Sequence, residues 1–342
     1  MRAFDGHNDV LSRLHDAGGG NAAFLEGGED GHLDVPRARA GGLAGGLFAV
    51  FPCSPFRGEE HPFTVDYARP LGRAEALADT LAMIKRLGAI ERESEGALRV
   101  VRDADALDAC LGDGSLAAVL HVEGAEPVDA ELEELGRLYD AGLRSLGIAW
   151  SRPNRFGHGV PFEFPGSPDQ GPGLSEAGRA LVGACNELGV VVDVSHLNER
   201  GFWDVAKASD APLVASHSNA HALCPSPRNL TDDQLRAVGE SGGLVGINFC
   251  AAFAREDGAD DPDTPLSGVA AHAAHVAEVA GVDAVALGSD FDGATMPHEL
   301  DSAAKLPALF DALRAFGFAQ PELERIALGN WRRVLGATWG TE

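Results

Sequence analysis

Short runs of β-branched and apolar residues recur along the chain, each giving way to a longer stretch of mixed polarity. The runs predict strands at 3–9, 43–51, 117–123, 145–150, 190–196, 213–217, 244–249 and 284–290. Between them, apolar residues spaced three and four apart predict amphipathic helices at 70–93, 131–141, 175–188, 201–209, 231–240 and 268–280. Ser175 before Glu176, and Thr231 before Asp232 and Asp233, read as N-caps with acidic first turns. Eight strands alternating with helices predict an α/β protein, either a doubly wound sheet or a (β/α)8 TIM barrel. The barrel is favoured by the count of eight, and by polar residues ending many strands instead of gathering at one switch point. No G-x-G-x-x-G follows a first strand and no G-x-x-x-x-G-K-[ST] occurs, so nucleotide-binding folds lack their motif.

Two stretches read as long loops, 18–31 and 155–173, both without helical period. The second follows a strand end on the expected active face and is read as a lid. There is no internal repeat and no linker, so residues 1–342 read as one domain.

Charge narrows the range of partners. The chain has 27 Lys+Arg against 52 Asp+Glu, a net charge of −25. Such a surface repels phosphate backbones and anionic lipid, which argues against nucleic-acid and membrane-surface binding. No apolar run approaches membrane-spanning length, and the opening MRAFDGHNDV lacks the apolar core of a signal peptide. Cys53, Cys110, Cys185, Cys224 and Cys250 are scattered and form no C-x-x-C pair, as expected of reduced thiols. A cytoplasmic protein is expected.

The chemistry collects at strand ends. His7 and Asp9 close the first predicted strand two residues apart, so alternation turns both to one face. Glu123, His196, His217 and Asp290 end four other strands. Taken singly, each is an ordinary hydrogen-bonded residue. Six such residues at the carboxy ends of five barrel strands point instead to a metal site, since imidazole nitrogen and carboxylate oxygen are ligands zinc accepts. Three histidines and three carboxylates exceed what one ion needs, and a bridging carboxylate such as Glu123 would hold two. His121, two before Glu123, reads as support behind the ligands. Ser195 and Ser216 are expected to point away from the neighbouring histidines, so no Ser-His-Asp triad is implied. His221 reads as a surface or lid residue, and His15, His32, His61, His272, His275 and His298 show no convergent partner.

The segments FDGHNDV, HVEGAE, DVSHLNERGFWDV, ASHSNAHAL with PRNLTDDQL, and LGSDFDG resemble the membrane (renal) dipeptidase family of the amidohydrolase superfamily. The resemblance runs from about residue 4 to residue 336 with the motifs in the family's order. It implies a (β/α)8 barrel with two zinc ions (Zn2+) that cleaves small dipeptides through a metal-bridging hydroxide. It further implies that His7 and Asp9 hold one ion, His196 and His217 the other, and that Glu123 bridges them. Asp290 would handle the proton of the nucleophile, and Arg228 would clamp the free carboxylate of the substrate. Homodimers are common in the family.

Two positions depart from the family pattern. Trp150 stands where many members carry a histidine that holds the substrate carbonyl, and an indole N–H cannot become a cation. Arg152, Asn154 or His158 in the following loop could supply what is lost, or Trp150 could serve as an apolar wall. Phe253 stands where relatives can carry a tyrosine, which favours a more apolar substrate side chain. These departures keep open an alternative on the same fold, a hydrolase of N-acyl amino acids, lactones or β-lactams. A catalytically silent binding protein would be expected to lack Glu123 or Asp290, and both are present.

Overall fold

The computed structural model describes residues 1–52 and 70–339. The strands, in chain order, are β1 (Ala3–Asn8), β2 (Leu43–Val50), β3 (Leu98–Val100), β4 (Leu116–Glu123), β5 (Leu143–Gly147), β6 (Val191–Asp193), β7 (Val214–Ser218), β8 (Leu244–Ile247) and β9 (Val285–Leu287). All pair in parallel, and eight of them close a barrel in the order β1-β2-β4-β5-β6-β7-β8-β9, with β9 returning to β1. Helices surround it, the arrangement of a (β/α)8 TIM barrel. All eight barrel strands coincide with the runs read from sequence.

The ninth strand, β3, was not foreseen. Its three residues pair only with Leu116–Ala118 at the start of β4, and β5 takes over that edge from Leu120 onward. A run of three residues containing Arg99 carries no detectable alternation.

The six predicted helices are present as Arg73–Glu93, Glu133–Ala141, Glu176–Leu188, Glu199–Ala208, Asp232–Glu240 and Leu266–Ala280. The Ser175 hydroxyl accepts from the Gly178 N–H, and Thr231 and Gln234 form a reciprocal capping box. Further helices went unread, among them Val10–Ala17, Ala104–Asp113 and Asn330–Trp339. The last of these closes the barrel. Its Trp331 is fully buried, donates from Nε1 to the Leu287 carbonyl, and packs with Phe4, Val119, Val191, Val214 and Ala286. Burying an indole there stabilises by about 2–3 kcal/mol, and the packing sits toward the amino ends of the strands, leaving the carboxy ends for chemistry.

Stretch 18–31 contains a short helix, Ala22–Leu25. Stretch 155–173 has neither helix nor named strand, and is pinned at its middle. Gly166 donates to the Pro225 carbonyl, and the His221 ring meets the Gly166 carbonyl at 2.8 Å. Among the described residues no helix is long and apolar enough to cross a membrane. Cys110, Cys185, Cys224 and Cys250 are free and buried; Cys53 and His61 lie outside the described residues.

Candidate metal centre and active site

His7, Glu123 and His217 lie within β1, β4 and β7, and Asp9 follows β1 immediately. His196 and Asp290 each come three residues after their strands, β6 and β9, which are shorter than the sequence suggested. Both residues have left-handed backbones, with φ of 66° and 65°. A positive φ is costly for a side-chain-bearing residue and cannot continue a strand, so extended runs read from apolar pattern overshoot here. The turns are held by buried carboxylates. Asp193 Oδ1 accepts from the N–H groups of Ser195 and Ser216, and Asp5 Oδ1 accepts from Ser289 N. Asp290 N donates to the His7 carbonyl. Just beyond, Asp292 is paired with Arg13 and receives the His32 N–H, so His32 does have a structural partner. Glycine is required at 293: a Cβ there would lie 2.2 Å from Asp9 Oδ2 and 2.7 Å from Asp290 Oδ1.

These six side chains converge. His7 Nε2 is 3.2 Å from Asp9 Oδ2 and 3.8 Å from Glu123 Oε2. On the other side of the same carboxylate, Glu123 Oε1 is 2.9 Å from His196 Nε2 and 3.5 Å from His217 Nε2. Ligand atoms of His7, Glu123 and His217 all lie within 4.8 Å of one another, and so do those of His7, Asp9 and Asp290. Asp290 is steadied by the Asn248 side-chain amide, which donates to Oδ2 at 2.9 Å.

The donor set fits metal ions on its own chemistry. The Nδ1 atoms of His196 and His217 are engaged by Ser151 Oγ at 2.8 Å and Ser216 Oγ at 2.7 Å, which leaves each Nε2 for the centre. A hydrogen bond to one ring nitrogen that turns the other inward is how metal-ligating imidazoles are oriented. Although the ring of His7 is fully buried, its Nδ1 has no hydrogen-bond partner among the described residues, and its Nε2 faces only carboxylates, Asp9 at 3.2 Å and Glu123 at 3.8 Å. A buried imidazole among carboxylates must hold either a proton or a metal ion there.

Electrostatics at the site follow from that crowding. Burial pushes Glu123 up to about 8, and raises Asp290 as well, with Asp9 adding to both. Burial opposes a charge on His7, but Glu123, Asp9 and Asp290 outweigh it and lift the ring to about 10. His196 and His217 are driven well below the ordinary imidazole value, first by burial and then by neighbouring cationic groups. Three carboxyls and three imidazoles here compete for protons that metal ions would displace.

Ser216 differs from expectation. It does not point away: its hydroxyl donates to Asp193 Oδ2 and meets His217 Nδ1. It is a positioning link between a carboxylate and a ring whose other nitrogen faces the centre, and it is not a nucleophile. His121 sits behind the cluster, its Nδ1 on Ser145 Oγ and its ring edge-on to His7. His272, read as unpartnered, accepts from Ala220 N and contacts the Ala254 carbonyl.

The walls carry the other predicted residues. Trp150 is 9% exposed, its ring 5.7 Å from His196 and 5.4 Å from Phe162 of the 155–173 stretch. Phe162 in turn stacks on Phe253 at 6.0 Å. Arg228 is buried, with its guanidinium 5.7 Å above the Phe253 ring. Nη1 donates to Ser218 Oγ and Nη2 to the His217 carbonyl, which fixes the side chain beside the cluster of six. Asn154 is spent on loop geometry, donating to Ile148 and accepting from Phe156 and Gly157. A cavity of roughly 230 Å³ beside Phe253 is lined by Phe162, Phe164, Ala252 and Asp260.

Comparison with known proteins gives this site its setting. A metallopeptidase of Rhodobacter sphaeroides, whose crystal structure holds a phosphinate mimic of the dipeptide L-Ala-D-Ala, is 46% identical, with a TM-score of 0.95 over 99% of each chain. The crystal structure of dipeptidase AC, a metallopeptidase of family M19, is equally similar, at 46% identity and a TM-score of 0.95 over 100% of this chain and 99% of that one. An uncharacterised Klebsiella pneumoniae protein from the pqqA 5′ region is 50% identical over 265 residues, 78% of this chain and 97% of the relative. The model of the membrane dipeptidase family, peptidase family M19, matches residues 1–340. With a barrel that brings the six predicted residues together at its carboxy end, the chain belongs to that family and is a metallopeptidase.

Proposed function

We propose that this metallopeptidase is a binuclear zinc dipeptidase that cleaves small dipeptides with a free C-terminal carboxylate. The observation that carries the reading is the orientation of its imidazoles. His196 and His217 are secured at Nδ1 and turn Nε2 toward one oxygen of Glu123, while His7, with Asp9 beside it, faces the other oxygen. A carboxylate approached by nitrogen ligands on both sides suits a bridge between two ions. His7, Asp9, Glu123, His196 and His217 would hold them. When bound, zinc ions supply a low-pKa water and a Lewis acid for the scissile carbonyl.

The remaining work falls to the chain itself. Asp290, next to the ligands and anchored by Asn248, takes a proton from the attacking water and returns it to the leaving amine. Its raised pKa, caused first by burial, suits a group that must both accept and donate. Arg228 offers a guanidinium to the substrate carboxylate, the planar match such a group prefers. Trp150 and Phe253 form apolar walls. The 46%-identical relative bound to a mimic of L-Ala-D-Ala supports a dipeptide as substrate. A cytoplasmic setting agrees with four described cysteines that are free and buried. Trp150 is also the reason to keep N-acyl amino acids, lactones and β-lactams as a second substrate class.

The test is metal analysis together with a substrate panel. About two zinc ions per chain are expected, with dipeptide hydrolysis abolished by chelation and restored by zinc. Full activity after complete metal removal would overturn the reading, and cleavage of acyl amino acids in preference to dipeptides would establish the second class.

A further inference from the structure

The loop after β5 holds a second buried arginine that the reaction as described does not use. Arg152 is 2% exposed, and its Nε donates to Glu126 Oε1 at 2.7 Å, the two side chains each about 1% accessible. Among the described residues its Nη1 and Nη2 have no hydrogen-bond partner, and neither does Glu126 Oε2. The pair therefore keeps two unused donors and one unused acceptor out of water. Orphaned groups of this kind are costly unless water or a ligand satisfies them, and a ligand that does so displaces that water.

The pair also has a defined position. The guanidinium carbon lies 5.4 Å from the Trp150 ring and 5.1 Å from the Phe51 ring. Trp150 touches the ligand His196, and the intervening Ser151 binds His196 Nδ1, so Arg152 stands one aromatic ring from the metal ligands. Phe162 separates this side of the pocket from the side where Phe253 and Arg228 stand. Arg228 would fix the carboxy end of a dipeptide, which leaves the Trp150 side for the residue at the amino end.

We infer that Arg152 and Glu126 form a specificity site for the side chain of the amino-terminal residue of the substrate, and that its preferred occupant is a primary carboxamide, as in glutamine or asparagine. The inference rests on the dipeptidase reading above. A carboxamide offers a carbonyl oxygen to the Arg152 Nη donors and an N–H to Glu126 Oε2, so it satisfies both unused partners. A carboxylate would satisfy the arginine but face Glu126 as a second anion, and an apolar side chain would satisfy neither. Sites built to hydrogen-bond a substrate group reject analogues lacking it because their own polar groups are then stranded.

The experiment compares kcat/KM of the zinc-loaded protein for Gln-Ala, Glu-Ala, Met-Ala and Ala-Ala. Gln-Ala is expected to exceed the near-isosteric Met-Ala by about ten-fold or more, with Glu-Ala below Gln-Ala. In Arg152→Met, the Gln-Ala to Met-Ala ratio is expected to fall toward one, the change residing in Gln-Ala. Glu126→Gln is expected to narrow the gap between Glu-Ala and Gln-Ala. A native protein that cleaves Ala-Ala without preferring Gln-Ala overturns the site while leaving the dipeptidase reading intact. So does an Arg152→Met protein of unchanged zinc content that loses all four substrates in equal proportion, since that is the mark of a purely structural ion pair. The native comparison decides the matter even if both variants fail to fold. If the native protein cleaves none of the four with either L- or D-alanine at the carboxy end, the dipeptidase reading fails and this inference fails with it.

Discussion

The Nε2 atoms of His196 and His217 stand 3.0 Å apart, with both rings buried and both pushed toward the neutral state. Their second nitrogens are already committed to serines, so the pair is arranged to present lone pairs to a cation. Across Glu123, His7 is lifted to about 10 and Glu123 itself to about 8, so the metal-free site holds protons at pH 7. A metal ion that binds here must displace them. Binding at pH 7 is expected to release roughly one to two protons, and apparent affinity is expected to rise with pH. Calorimetry in buffers of different ionisation enthalpy reads this directly. Binding without proton release would contradict the arrangement.

Ser216 gives a way to perturb a ligand without touching it. Its hydroxyl joins the Asp193 carboxylate to His217 Nδ1, and its backbone N–H is held by the same aspartate. Ser216→Ala leaves His217 in place but frees its ring to turn and to take the wrong tautomer. Zinc affinity should fall by about 10- to 100-fold, with little change in kcat once the metal is saturated. A kcat loss that persists at saturating zinc would mean that Ser216 acts on the substrate.

Asp290 is separable from the ligands by the same logic. Asp290→Asn keeps the shape and the contact with Asn248 but removes the group that accepts a proton. Activity should drop by about 10²- to 10⁴-fold with zinc content close to the native value. Equal loss of metal and activity would move Asp290 from proton transfer into the ligand set.

These six residues were legible in the sequence because each lies at or near a strand end, and a barrel gathers strand ends at one face. What stayed hidden depends on contacts between distant segments. No periodicity announces that Ser216 and Asp193 meet, because each belongs to a buried strand where a hydroxyl or carboxylate looks like a break in the apolar run. The left-handed turns at His196 and Asp290 were invisible for a related reason. Neither residue announces such a turn as a glycine would, and the backbone is held there by Asp193 and by the His7 carbonyl of the neighbouring strand. Strand β3 was too short for alternation to register, and the Arg152–Glu126 pair joins loops 26 residues apart.

Trp150, which the sequence resemblance sets where many members of the family carry a histidine, packs its ring against His196. Trp150→His restores a ring that can donate and exchange protons. The ranking of dipeptides against acyl amino acids should change, and zinc content should not. Loss of metal in this variant would show that Trp150 packing holds His196, in which case its role is structural.

His272 couples acidity to stability without facing the metal centre's own carboxylates. It is 1% exposed, accepts the Ala220 N–H at Nδ1, and contacts the Ala254 carbonyl through Nε2 at 3.2 Å. It thereby ties the segment after β7 to the short helix Ala251–Ala254 that carries Phe253. Burial lowers its pKa to about 4, against 6.5 for a free imidazole. Above pH 6.5 the ring is neutral in both folded and unfolded chains, and its bonds contribute in full. Between 6.5 and about 4 the unfolded chain takes up a proton that the folded chain refuses, so stability falls as pH falls. The loss from this group is on the order of 3 kcal/mol across that interval. His121, also lowered to about 4 first by burial, acts in the same direction in the metal-free protein. His272→Gln is expected to be less stable at pH 7 by about 1–2 kcal/mol, because the amide replaces the ring's contacts imperfectly. Its stability should nevertheless decline less steeply toward pH 4, since glutamine does not titrate. Urea unfolding of the chelated protein at pH 7, 6, 5 and 4 measures both slopes. Parallel slopes in the two proteins would show that His272 does not set the acid limit, and would place it on other buried groups.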